Sequence, residues 1–162
     1  MRNRFALAAC ALVLIVGTTV TSALPVAAAG RAFPGQSGRV EAASTRPTVT
    51  AGAQHSCALV GNGTAKCWGA NASGQLGNNS TVNALLPVAV SGLGVDGRAL
   101  TISAGDSHTC VVLVGGTARC WGGNQDGQLG NNSTANRKVP VAVSGLTNVM
   151  ALSSGAAHTC AV

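Results

Sequence analysis

Histidines and cysteines recur in a fixed relation along this 162-residue chain: His55, His108 and His158 each stand two residues ahead of a cysteine, Cys57, Cys110 and Cys160. Cys67 and Cys120 follow the first two of those cysteines at a separation of ten. Three chemistries could use such residues. A zinc site would draw on His55, Cys57 and Cys67, but the set offers three ligands and lacks a close Cys-x-x-Cys pair. Hydrolysis would draw on Asp106-Ser107-His108, yet neighbours on one strand point to alternate faces, and the matching positions are Ala53-Gln54 and Ala156-Ala157. An active site is also expected once per protein, whereas these histidines return at one phase, as scaffolding does. They read as hydrogen-bonding residues inside each repeat.

The remaining chemistry is the disulfide. Cys57 and Cys67 flank Val60-Gly61-Asn62-Gly63-Thr64, and Cys110 and Cys120 flank Val114-Gly115-Gly116-Thr117. A hairpin turning at those glycines sets each pair directly across the ladder on one face, within the span a disulfide needs. The expected bonds are Cys57 to Cys67 and Cys110 to Cys120. Cys160 has no cysteine ten residues on and is expected to be unpaired.

The elements that position these residues are themselves repeated. Ala51-Gly52-x-x-His55-Ser56-Cys57 returns as Ala104-Gly105-x-x-His108-Thr109-Cys110 and as Ser154-Gly155-x-x-His158-Thr159-Cys160. Residues 49–93 laid on 102–146 give 27 identities in 45 positions without a gap. A period near fifty with strand signals at 98–104, 107–114, 117–122 and 139–143 predicts four short antiparallel strands per unit, the arithmetic of a β-propeller blade. The fold class is all-β: two full repeats (49–101 and 102–151) and the start of a third (152–162), an incomplete propeller. Two blades cannot close a ring, so the 30–162 product is expected to aggregate, to dimerise through Cys160 or to fold only in part.

The segments Trp68-Gly69-Ala70-Asn71-Ala72-Ser73-Gly74-Gln75-Leu76-Gly77 and Trp121-Gly122-Gly123-Asn124-Gln125-Asp126-Gly127-Gln128-Leu129-Gly130, each preceded by a cysteine, resemble the repeat of the regulator of chromosome condensation family. The resemblance spans residues 48–162 and implies a β-propeller, in that family usually of seven blades. The paired cysteines set this chain apart from the plain pattern and resemble secreted, cysteine-containing bacterial members. On physical grounds, Trp68 and Trp121 are the large side chains able to anchor each blade. Glycines at 69, 74 and 77, and at 122, 127 and 130, permit tight turns, while Asn71 and Asn124 can bond their own backbone. No Gly-Lys-Ser/Thr ending follows, so nucleotide binding is not expected.

Composition bounds the rest. With 46% hydrophobic residues, 9% charged, 22 Gly, two Trp, two Phe and no Tyr, the chain cannot be a coiled coil, a fully disordered polymer or a large enzyme. The net charge of +6 would suit nucleic acid if it were concentrated on one folded face. From Thr48 onward, however, five basic residues (Lys66, Arg98, Arg119, Arg137, Lys138) face three acidic ones (Asp96, Asp106, Asp126), a net of +2. Arg2 and Arg4 precede the apolar run Phe5 to Val16, and Val26-Ala27-Ala28-Ala29 supplies small residues, so 1–29 reads as a secretory signal peptide cleaved after Ala29, the alternatives being an uncleaved anchor over the uncharged Phe5 to Gly30 and lipid attachment at Cys10. Residues 30–47 read as a flexible linker.

The expected product is therefore secreted, periplasmic or on the cell surface, where disulfides persist. It is expected to be non-enzymatic, without cofactor or metal and without membrane contact after cleavage, and to bind a protein or another cell-surface macromolecule or further propeller repeats. Recognition is expected where the repeats differ, at Ala72-Ser73 against Gln125-Asp126 and Ala84-Leu85 against Arg137-Lys138. Two alternatives come from the family: inhibition of an enzyme of β-lactamase type, and the guanine-nucleotide exchange and chromatin binding of nuclear members.

Overall fold

The computed structural model describes residues 48–94 and 97–162. The expected signal peptide and linker lie outside the described residues. Within them the chain forms ten strands: β1 (Val49–Ala51), β2 (His55–Val60), β3 (Thr64–Gly69), β4 (Ala84–Ala89), β5 (Ala99–Ala104), β6 (His108–Leu113), β7 (Ala118–Gly122), β8 (Arg137–Ala142), β9 (Leu152–Ser154) and β10 (Thr159–Ala161). No described helix is long and apolar enough to cross a membrane.

The strands form two four-stranded antiparallel meanders, β1-β2-β3-β4 and β5-β6-β7-β8, and the pair β9-β10. This is the predicted blade arithmetic. The one sizeable boundary difference is β8, which begins at Arg137 rather than 139 because Gly122 pairs with Arg137 across a bulge after Cys120. A charged Arg-Lys start hid two residues of an edge strand.

Local chemistry explains the hairpins. Gly63 turns at φ 77°, and Asn62 Oδ1 accepts from the Thr64 amide at 3.2 Å and its hydroxyl at 2.6 Å. The register that follows sets Cys57 opposite Cys67 and Cys110 opposite Cys120. Each pair is disulfide-bonded, with Cα atoms 4.1 Å apart.

Burial reports the stacking of the sheets. Along β2 buried and half-buried residues alternate, the pattern of a strand covered on one face, whereas every residue of β6 is buried. The second sheet is covered on both sides, by the first sheet and by β9-β10. Between the first two sheets lies a core of Leu59, Leu76, Val90, Leu93, Ile102, Val111 and Trp121.

Candidate functional site

The repeated loop after each tryptophan is a structural staple. Asn71 is fully buried; its Nδ2 lies 3.1 Å from Asn78 Oδ1 and 3.0 Å from the carbonyls of Ser80 and Val82, and its Oδ1 accepts the Leu76 amide at 2.9 Å. The Asn71 amide in turn donates to Asn83 Oδ1 at 2.9 Å. One side chain thus ties residues 71 to 83 into a closed loop, wider than the local turn expected of it. Asn124 repeats the set with Asn131, Ser133, Ala135, Leu129 and Asn136. Gln75 and Gln128 cap the following turns, accepting from the amides of Ser73 and Asp126 at 2.9 and 3.0 Å. The partners Asn78 and Asn83 were missed in the sequence, although both recur at the repeat offset, as Asn131 and Asn136.

His55 and His108 bridge neighbouring sheets rather than serving inside one blade, which corrects the sequence reading, while His158 is exposed. Thr109 gives its single hydroxyl proton to the Gln75 carbonyl at 3.1 Å, so its oxygen accepts from His55 Nε2 at 2.8 Å. His108 Nε2 donates likewise to Thr159 Oγ1 at 2.9 Å, and Thr159 to the Gln128 carbonyl at 3.0 Å. In both rings the buried Nδ1 has no hydrogen-bond partner, as suits a neutral Nε2-protonated ring. Burial, with a smaller contribution from the charge of His108, lowers the pKa of His55 to about 4. For His108, burial and then His158 lower the pKa against an opposing pull from Asp106.

The imidazoles also explain the invariant spacing of Gly-x-x-His within this chain. A Cβ on Gly52 would collide with the His55 ring and the Gly105 carbonyl, and one on Gly105 with the His108 ring and the Gly155 carbonyl.

Asp106, Ser107 and His108 are not brought together as a catalytic trio: His108 is buried and turned to Thr159, while Asp106 is exposed. Among the described residues no group of three His, Cys, Asp or Glu could hold a metal, and Cys57 and Cys67 are consumed by their disulfide. Cys160 departs from expectation, since it too is disulfide-bonded, and no cysteine among the described residues is free. The spacing argument looked for a partner ten residues downstream, whereas a disulfide needs closeness in space and not a set separation.

The tryptophans differ. Trp121 is fully buried and its Nε1 donates to the Gln75 carbonyl of the preceding unit at 2.9 Å, so it anchors a joint between sheets. Trp68, expected like Trp121 to anchor its own blade, is only half-buried. At the positions where the repeats differ, Leu85 is 95% exposed, flanked by Val82 at 73% and Leu86 at 76%. The second repeat has Ala135, Lys138 and Val139 there. Ala72, Gln125 and Asp126 are exposed as well.

Four-stranded antiparallel meanders stacked face to face, each keyed into the one before it, define a β-propeller repeat module. Among known proteins, the repeat described as "Regulator of chromosome condensation (RCC1) repeat" matches residues 62–112 and 116–162, and a second form of the same repeat matches 48–75 and 100–128. The chain belongs to this family. It is 36% identical over 140 residues to the human "Probable E3 ubiquitin-protein ligase HERC6", covering 82% of this chain and 14% of the ligase. It is 34% identical over 119 residues to the "Ultraviolet-B receptor UVR8" of Arabidopsis thaliana, covering 71% of this chain and 27% of the receptor. The chain thus spans between a seventh and about a quarter of these two relatives.

In fold it resembles human WBSCR16, with a TM-score of 0.63 at 21% identity over 70% of this chain and 30% of that one. It equally resembles Prp20p of Saccharomyces cerevisiae, with a TM-score of 0.64 at 18% identity and the same coverage. Prp20p is described with binding properties toward Gsp1p and histones.

Proposed function

We propose that the chain is an exported, non-enzymatic propeller module that binds another protein through residues at which its repeats differ. The observation that carries this reading is that the edge strand β4 and the turn before it expose Leu85, Leu86 and Val82 to water, Leu85 and Leu86 on opposite faces of the strand. Large apolar side chains left in water along an unpaired sheet edge mark an interaction surface, and these lie where the scaffold tolerates Ala135 and Lys138 instead. The polar residues that could have formed a reactive set are engaged in joining sheets, His55 and His108 through Thr109 and Thr159. Export is supported by the bonded cysteines, which persist outside the reducing cytosol, and by the leader-like pattern of residues 1–29. The binding properties described for Prp20p are consistent with a family of protein-binding modules.

The test immobilises the exported chain and challenges it with extracellular proteins of its source. Saturable capture of a defined protein, lost in the double variant Leu85→Lys, Leu86→Lys while the melting transition is unchanged, is the expected result. Stimulated GDP release from a small GTPase at catalytic amounts of the chain would overturn it in favour of nucleotide exchange. Tight inhibition of a β-lactamase would make the captured protein an enzyme target.

A further inference from the structure

Among the described residues the acidic side chains are two, Asp106 and Asp126, and both line one cleft of about 230 Å³. Asp106 stands in the turn between β5 and β6, and Asp126 in the loop after Trp121. Ser73 of the first repeat and Ala156 and Ala157 of the β9–β10 turn complete the walls, so all three units contribute. Neither carboxylate makes a hydrogen bond or an ion pair, and Asp106 acts on the buried His108 through its charge alone. Gln128, 8% exposed, adds a donor to the same cleft. Its Oε1 accepts the Asp126 amide at 3.0 Å, which leaves Nε2, the other branch of the amide, without a hydrogen-bond partner. A polar group buried to that degree and unpaired is uncommon and marks a place where a partner is wanted. Comparison of the repeats separates frame from wall. Asn124, Gln128 and Asn136, which bond within the loop, stand also in the first repeat as Asn71, Gln75 and Asn83. The other lining residues of the second repeat have changed: Asp106, Ser107, Gly123, Gln125 and Asp126 replace Ala53, Gln54, Ala70, Ala72 and Ser73. A Cβ on Gly123 would come within 2.5 Å of Ser107 Oγ, so the methyl present at Ala70 is missing where it would narrow the cleft.

We infer that this cleft seats the guanidinium of an arginine side chain presented by a partner protein. Charge selects a cation, since two carboxylates line the cleft with no basic side chain paired to them. Their placement on separate turns selects the guanidinium, whose N–H donors spread in a fixed planar fork and can meet acceptors on more than one side, whereas an ammonium is a compact point charge. Size agrees: about 230 Å³ admits one long side chain and is smaller than the roughly 300–1,000 Å³ of sites for drug-sized molecules. The ligand set is not that of a metal, because no group of three His, Cys, Asp or Glu is present among the described residues. Asp106 and Asp126 accept from the guanidinium, and Gln128 Nε2 donates to a carbonyl of the segment that carries it. The inference rests on the reading of the chain as a protein-binding module and names what one contact recognises, through residues other than Leu85 and Leu86.

The test is an NMR titration of the isotope-labelled full chain with N-acetyl-arginine methylamide, read at the backbone amides of Asp106, Ser107, Gln125 and Asp126. A saturable shift confined to these turns is expected. It should weaken about tenfold or more in the double variant Asp106→Asn, Asp126→Asn, as for the loss of charge-assisted hydrogen bonds. Gly123→Ala, whose methyl closes the cleft against Ser107, should weaken it as well. Both aspartates are exposed, so the asparagine pair decides the matter if Gly123→Ala does not fold. The uncharged citrulline analogue should give no such shift, and the lysine analogue a weaker one. Equal shifts with arginine and citrulline, lysine binding as tightly as arginine, or a titration unchanged by the asparagine pair would each overturn the proposal. So would Ca²⁺ saturating the same amides ahead of arginine, because the cleft would then be a metal site. A chain that still captures its protein partner yet shows no arginine shift rejects the seat and leaves the binding-module reading standing.

Discussion

Gly52 and His55 act as one device, since the imidazole occupies the volume a side chain on the glycine would need. Gly52→Ala should therefore overpack the joint and cost about 1–3 kcal/mol, read as a lower denaturant midpoint, whereas Gly61→Ala, with open space around it, should change little. The histidine makes the same joint sensitive to acid. His55 has a folded pKa near 4, below the ordinary 6.5 of an unfolded chain, so the unfolded state takes up the proton first as pH falls. Its contribution is whole above about pH 6.5 and is lost progressively down to about pH 4, at most about 3 kcal/mol. Thermal melts at pH 7, 5.5 and 4.5 should decline in that order, and His55→Gln should flatten the slope across this window.

At the scale of the element, hairpins and loops are held by different means. The short disulfide ring at Cys57 and Cys67 should contribute about 3 kcal/mol by restricting the unfolded chain, so Cys57→Ala, Cys67→Ala should lower the melting temperature without changing strand content in circular dichroism. Asn71→Ala instead strands the carbonyls of Ser80 and Val82 and the amide of Leu76. A loss of about 2–3 kcal/mol is expected, with faster hydrogen exchange at the Leu76 amide and little change at the β2–β3 hairpin. Much of this scale was legible beforehand, because a period-two apolar pattern and glycine turns mark strands locally. The hairpin cysteines could be placed for the same reason, their partners lying across one turn. The start of β8 and the roles of Asn78 and Asn83 were not legible, since the first is a pairing that tolerates polar residues and the others close a loop that no apolar period marks, and the bonding of Cys160 was not legible because no ten-residue spacing announces it.

For the whole molecule, the joints have a direction. Trp121 enters the loop of the repeat before it, and Thr109 bonds back to Gln75. Trp121→Ala should cost about 3–5 kcal/mol and loosen the first sheet from the second, while Trp68→Ala, at a half-buried site, should cost clearly less, a contrast that urea titration of the two variants would register. The sequence disclosed that both tryptophans were large anchors but not that they would differ, because burial of each depends on the unit in front of it. That dependence bears on how such a chain grows in evolution. Each unit carries a plug, its tryptophan, and a socket, its Gln-Leu-Gly turn. A tandem duplication therefore copies both halves of the joint at once, and the daughter unit fits its parent without any new surface having to arise. In the Trp-to-Gly loop that forms plug and socket seven of ten residues are identical between the two repeats, whereas the first three residues of the outer strand have drifted from Ala84-Leu85-Leu86 to Arg137-Lys138-Val139.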